Sequence, residues 1–201
     1  HGWRGQKSSS SNSSSKRYFS FTYPTPRKLD ELVKVHLLML EEPSRIREIW
    51  EDYHKGKPGV WAGVLSGARK FEVLMQRGTK SPRFVFPIGA PGGTGYSVLV
   101  SQFQGKHCLL TSLNDLQEKQ NDAPAHLVIT YYDELVKEKD LVLVRTDICN
   151  TAISEQAARN VTRAVIEKYL TAKGYEQVDR FNHDPRNFPV EAYVADEDNR
   201  C

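Results

Sequence analysis

The feature that most constrains this chain is a block of five closely spaced segments, each rich in β-branched or aromatic residues. They are Arg83 to Ile88, Tyr96 to Phe103, Lys106 to Ser112, Leu127 to Tyr132 and Leu141 to Asp147. Such segments read as strands. The intervals between them are too short for a helix in each crossover, which parallel neighbours need, so the strands pair mainly antiparallel. Gly105 marks a hairpin between the second and third.

Helical patterns flank the block. After Pro24 and Pro26, apolar residues at Leu29, Leu32, Val33, His36 or Leu37, and Leu40 follow the helical period and predict a helix of about three turns, ended by Glu41 and Glu42. Pro43 suits a first helical turn, and Ile46, Ile49, Trp50 and Tyr53 repeat at helical spacing until Gly56 and Pro58. Val60 to Leu65 reads as a short buried strand. Ser66 is then expected to cap a helix with Ala68, Phe71, Leu74 and Met75 on one side, closed by Gly78.

Beyond the strands, Ser154 caps a long helix. Glu155 lies in its positive first turn, and Ala157, Val161, Val165 and Tyr169 form its apolar stripe up to Gly174. Tyr175 to Asn182 gives no decision between helix and loop, and a loop through His183, Pro185 and Asn187 follows. Helices, then strands, then a helix make an α+β fold: a mainly antiparallel sheet covered on one side by amphipathic helices. A single domain is expected over 26–197, with a disordered tail at 1–25 and a frayed end at 198–201.

Charge is distributed unevenly. The formal net charge is +3, yet residues 1–28 hold six basic residues and no acid, so the rest of the chain is negative. That argues against a globular domain built to neutralise nucleic-acid phosphates. Between Ser8 and Ser15 every residue is serine except Asn12. Such a segment has no apolar surface to offset the entropy of ordering. An acid-free, serine-rich basic start in a chain opening at His1 fits two readings, an organellar import segment or a flexible extension. The longest apolar runs fall far short of the roughly 20 residues that cross a bilayer, so no membrane insertion is expected. Cys108, Cys149 and Cys201 are too few and scattered for a disulfide framework and favour a reducing compartment.

Motifs with chemical potential are weak. The glycines from Gly89 to Gly95 invite a phosphate-loop reading, but no Lys-Ser/Thr follows them and the loop leads into a strand rather than a helix N-terminus. Ser66 sits between strand and helix without the G-x-S-x-G arrangement of a nucleophile elbow. His107 and Cys108 are adjacent, and on a strand they face opposite ways, which disfavours a shared metal. Asn160-Val-Thr162 matches a glycosylation pattern but falls inside the long helix. The residues by themselves support no catalytic, metal or cofactor site, and leave a domain that binds something.

The strand block also carries a resemblance. Phe84-Val-Phe-Pro87, Gln102-Phe103, Leu110-Thr-Ser-Leu113, Tyr131-Tyr-Asp-Glu-Leu135 and Lys139-Asp-Leu-Val-Leu143 occur in an order and spacing similar to the mitochondrial F1-ATPase assembly factor family, chaperones of the F1 β subunit. Leu29 to Leu40, Ile49-Trp50, Tyr53-His54 and Phe181-Asn182 with Pro185 and Phe188 extend the similarity over about residues 27–196. Two departures stand out: the Gly89 to Gly95 loop is longer than the family's, and Asp140 stands where its pattern has glycine.

The resemblance implies a non-enzymatic protein without cofactor, acting as a monomer in the mitochondrial matrix. It would bind the unassembled F1-ATPase β subunit, shield its α-facing interface and be displaced by the α subunit without an ATP cycle. The family-matching positions Gln102, Phe103, Thr111, Tyr132 and Asn182 are candidates for the contact. Phe103 and Tyr132 fit the core equally, and Thr111 fits a strand end. Two rival functions are a phosphate-ligand enzyme using the Gly89 to Gly95 loop and a nucleic-acid module using the basic tail, the second disfavoured by the negative body.

Overall fold

In a computed structural model, which describes residues 25–89, 95–196 and 201, six strands form one sheet. They are β1 (Val60–Ser66), β2 (Arg83–Gly89), β3 (Tyr96–Gln104), β4 (His107–Ser112), β5 (Leu127–Tyr132) and β6 (Leu141–Ile148). The order is β1-β6-β5-β4-β3-β2, and every neighbouring pair is antiparallel. All five strands of the block are present, with Gly105 at a φ of +58° in the β3–β4 turn. The earlier strand β1 crosses over to pair with β6.

The helices are α1 (Val35–Leu38), α2 (Pro43–His54), α3 (Ala68–Lys80), α4 (Leu113–Lys119), α5 (Val136–Lys139), α6 (Glu155–Leu170), α7 (Ala172–His183) and α8 (Val190–Ala195). On one face of the sheet Phe84, Phe86, Ile129, Tyr131, Val142 and Val144 pack with Phe71 and Leu74 of α3 and Val161, Val165 and Tyr169 of α6. On the other, Tyr132, Leu141 and Leu143 meet Ile46 and Trp50 of α2 together with Leu29, Leu32 and Leu38. A smaller cluster places Leu116 of α4 against Leu109, Ala125 and Val128. Cover on both faces corrects the one-sided expectation. The reason is visible in β5, where all six residues are buried, as a strand with solvent on neither face requires.

Local differences have physical causes. The helix expected from Leu29 to Leu40 is two short pieces, a 3-10 turn at Leu29–Glu31 and the single turn α1, because Lys34 between them is extended. Leu29, Leu32 and Leu38 reach the core while Leu37 and Leu40 face solvent. In α2 the buried residue of the last turn is His54 rather than Tyr53.

Ser66 does not cap α3. Its hydroxyl accepts from Arg47, and Gly67 takes the cap position at a φ of +106°. The side chain that accepts from Ala68 N, at 2.5 Å, is Asp140, whose carbonyl also accepts from Gly67 N at 2.9 Å. Asp140 has a φ of +54°, the left-handed region that favours glycine, so its departure from the family pattern supplies a cap from outside the helix.

Gly78 does not close α3, which runs on to Lys80. A Cβ on Gly78 would lie 2.8 Å from the Phe103 ring, so the glycine permits close packing of helix on sheet. The long helix stops at Leu170, four residues before Gly174. Thr171 is extended, its N–H donating to Glu167 O and its hydroxyl accepting from Gly174 N, so one residue ends α6 and caps α7. Helix α4 has no counterpart in the sequence reading. Its signal is Ser112, whose hydroxyl accepts from Asp115 N at 3.0 Å.

Candidate partner-binding surface

A cleft of about 640 Å³ opens where the end of α3, the β3–β4 turn and the end of α7 converge. Its walls include Lys80, Arg83, Phe103, Phe181, Asn182 and His183. Asn182 sits one turn after Val178 on α7 and fastens that helix to the sheet. Its Oδ1 accepts from Arg83 N at 3.1 Å, and its Nδ2 donates to Arg83 O at 2.6 Å and Val178 O at 2.8 Å. The Phe103 ring forms the cleft's apolar base, 4.7 Å from the Tyr169 ring and stacked at 6.4 Å on Tyr131.

Beside the cleft the Ser81 hydroxyl lies 3.2 Å from the Tyr175 hydroxyl, 3.3 Å from Asp179 Oδ1 and 3.2 Å from His183 Nε2. Serine, histidine and aspartate together suggest a triad, but the geometry differs. Asp179 stands 3.7 Å from the same Nε2 that faces Ser81, so it does not orient the imidazole through the opposite nitrogen. Ser81 is also wholly buried. The cluster ties α7 to the end of α3, with Lys80 reaching Asp179 at 3.2 Å.

The other sequence candidates lie elsewhere. Gln102 is buried on the opposite face of β3 from Phe103. The Thr111 hydroxyl is buried and donates to Pro124 O at 2.5 Å. The Tyr132 ring packs edge-on to Trp50 at 5.9 Å, and its hydroxyl donates to Arg27 O at 2.8 Å, holding the N-terminal segment on the sheet. The fold thus brings Phe103 and Asn182 to one cleft and separates them from the other three. Of the Gly89 to Gly95 loop, residues 90–94 lie outside the described residues, as does the tail at 1–24. Among the described residues, no group of three or more His, Cys, Asp or Glu side chains could hold a metal ion.

A family model described as ATP11 protein matches residues 4–194. The chain belongs to the ATP11 protein family. It is 26% identical over 172 residues to the ATP synthase mitochondrial F1 complex assembly factor 1 of Danio rerio, covering 85% of this chain and 56% of that protein. The Homo sapiens protein of the same name is also 26% identical over 172 residues, with 51% of its length covered. The chain therefore spans about half the length of the curated relatives it matches. Their shared name is that of an assembly factor, not of an enzyme.

Leu40 is 79% exposed and Leu37 49%, and both project from α1 and the turn after it. The helical period expected over Leu29 to Leu40 counts Leu40, and Leu37 as the alternative to His36, among its apolar positions. The signal against it was the unbroken apolar run Leu37 to Leu40, which no single helix face can bury whole.

Proposed function

We propose that this ATP11-family chain is an ATP-independent assembly chaperone of mitochondrial F1-ATPase. It binds the unassembled β subunit, covers the surface that the α subunit later occupies, and yields to α. The observation that carries this reading is the family match across nearly the whole fold, with relatives named as F1 assembly factors. The place of action is the mitochondrial matrix, and the chain acts there as a monomer without cofactor.

The physical task suits such a domain. A subunit interface exposed before assembly is apolar and prone to wrong pairing, and a partner that occupies it suppresses both. Leu37, Leu40 and the cleft floored by Phe103 supply apolar area for such a contact, and Asn182 holds the cleft wall in place. Gln102, Thr111 and Tyr132 contribute by shaping the sheet beneath it. Release needs no nucleotide if α competes for the same surface, because an interface of roughly 1,600 Å² can have an affinity anywhere from micromolar to far tighter.

The test is light scattering of purified β subunit at an aggregating temperature, without ATP. Stoichiometric amounts of this chain are expected to suppress the signal, and added α subunit is expected to recover an α/β complex. Unchanged scattering with no co-elution overturns the reading.

A further inference from the structure

The two edges of the sheet are finished differently. In antiparallel pairing, residues that exchange hydrogen bonds with one neighbour alternate with residues whose N–H and C=O point the other way. Beyond the ends of β1, Ile148 N donates to Gly59 O at 2.8 Å and Gly67 N to Asp140 O at 2.9 Å. With the β1–β6 register, this assigns Trp61, Gly63 and Leu65 to bonding with β6 and turns the backbone groups of Val60, Ala62 and Val64 outward. No hydrogen bond from the described residues reaches those outward groups. The strand carries no proline, lysine or other charged residue to guard that row, the usual means of keeping an edge unpaired.

The open row is also recessed. Two hollows of about 360 and 230 Å³ follow β1, both walled by α2 on one side and α6 on the other. Arg159 and Arg163, one turn apart on α6, line this groove, and neither has an ion-pair partner among the described residues. On the α2 wall, Arg47 donates to Ser66 Oγ at 3.2 Å and lies 3.8 Å from Glu51. At the Val60 end three acids, Glu51, Asp52 and Glu155, balance Lys55, Arg159 and Arg163. The Val64 end has Arg47 and Arg163 against a single acid, Glu51, and is the cationic one.

We propose that this groove receives an extended, carboxylate-bearing segment of the chaperone's client, which adds to β1 as a seventh strand. Its backbone pairs with Val60, Ala62 and Val64, and its carboxylate lies between Arg47 and Arg163. The proposal rests on the chaperone reading for the client's identity and adds the mode of capture.

Two variants of the 201-residue chain test it in titrations against the β subunit. Ala62→Pro deletes an outward N–H and leaves every β1–β6 hydrogen bond in place. The double change Arg159→Glu with Arg163→Glu reverses the α6 wall at exposed or half-buried positions without touching β1. Each is expected to weaken binding by about tenfold or more, with circular dichroism and melting temperature near wild type. Binding within twofold of wild type for the double variant overturns the proposal even if Ala62→Pro fails to fold. Loss of self-association in Ala62→Pro with client binding intact makes the edge a seam between two copies and also overturns it. A wild-type chain that binds no β subunit overturns the chaperone reading itself, and the proposal with it.

Discussion

At its β2 end the sheet is closed, and at its β1 end it is open. The outward groups of Arg83 are clamped by Asn182, and Pro87 brings no N–H and gives its carbonyl to Cys201 N at 2.9 Å. Val85 between them is buried. Nothing comparable covers β1 among the described residues, although that strand is flanked by two helices. An edge strand left exposed is a hazard of aggregation, and the far edge shows that this fold has the means to remove it. The contrast favours the proposal that the open edge of β1 is a working surface rather than a defect.

The largest effect is expected from breaking the closed end. Asn182→Ala strips Arg83 N and O of their partner and loosens α7, which should cost about 2–3 kcal/mol in denaturant unfolding and make the free chain aggregate. If stability is unchanged, Asn182 does not seal that edge.

Next comes a pH effect on the open end. His54 closes the α2 wall, its Nδ1 facing Trp50 O at 2.9 Å. Burial, reinforced by the charges of Arg145 and Lys57, pushes its pKa down from 6.5 to about 4. Between those values the unfolded chain binds a proton that the folded chain does not. Stability is therefore full above pH 6.5 and falls as pH drops toward 4, by on the order of 2 kcal/mol. His107, also shifted down by burial, acts in the same direction. Comparing wild type with His54→Asn at pH 7 and pH 4.5 isolates the His54 share, and identical slopes would refute it.

The smallest effect concerns Asp140, next to the β1 end of the sheet. Asp140→Gly relieves a left-handed residue but removes the α3 cap, two contributions of about 1 kcal/mol each and of opposite sign. A net change below about 1 kcal/mol is expected, whereas Asp140→Ala keeps the strain, loses the cap and should cost more. Thermal unfolding of the two variants side by side checks the order.

Much of this fold was legible because β-strands and amphipathic helices leave a period. The block from Arg83 to Asp147 announced its strands, and Pro43 and Ser154 announced two helices. What stayed hidden depends on contacts between distant residues. Asp140 capping α3 across 72 positions, and Gly78 admitting the Phe103 ring, leave no local trace. The site was less legible than the fold. Residues in motifs that match a family are often interior, and Thr111 and Tyr132 hold the sheet together from within. The groove along β1 combines a backbone direction, set by register, with arginines about a hundred residues later. No motif encodes such a combination.

The central claim is that β1 is an unpaired edge which the client completes. Residue-resolved amide hydrogen exchange on the free chain and on its complex with the F1 β subunit tests it directly. The account predicts that Ala62 and Val64 exchange rapidly in the free chain while Arg83 is protected, and that Ala62 and Val64 become protected in the complex. Amides on β1 already as slow as Arg83 in the free chain, or unchanged on binding, would contradict it.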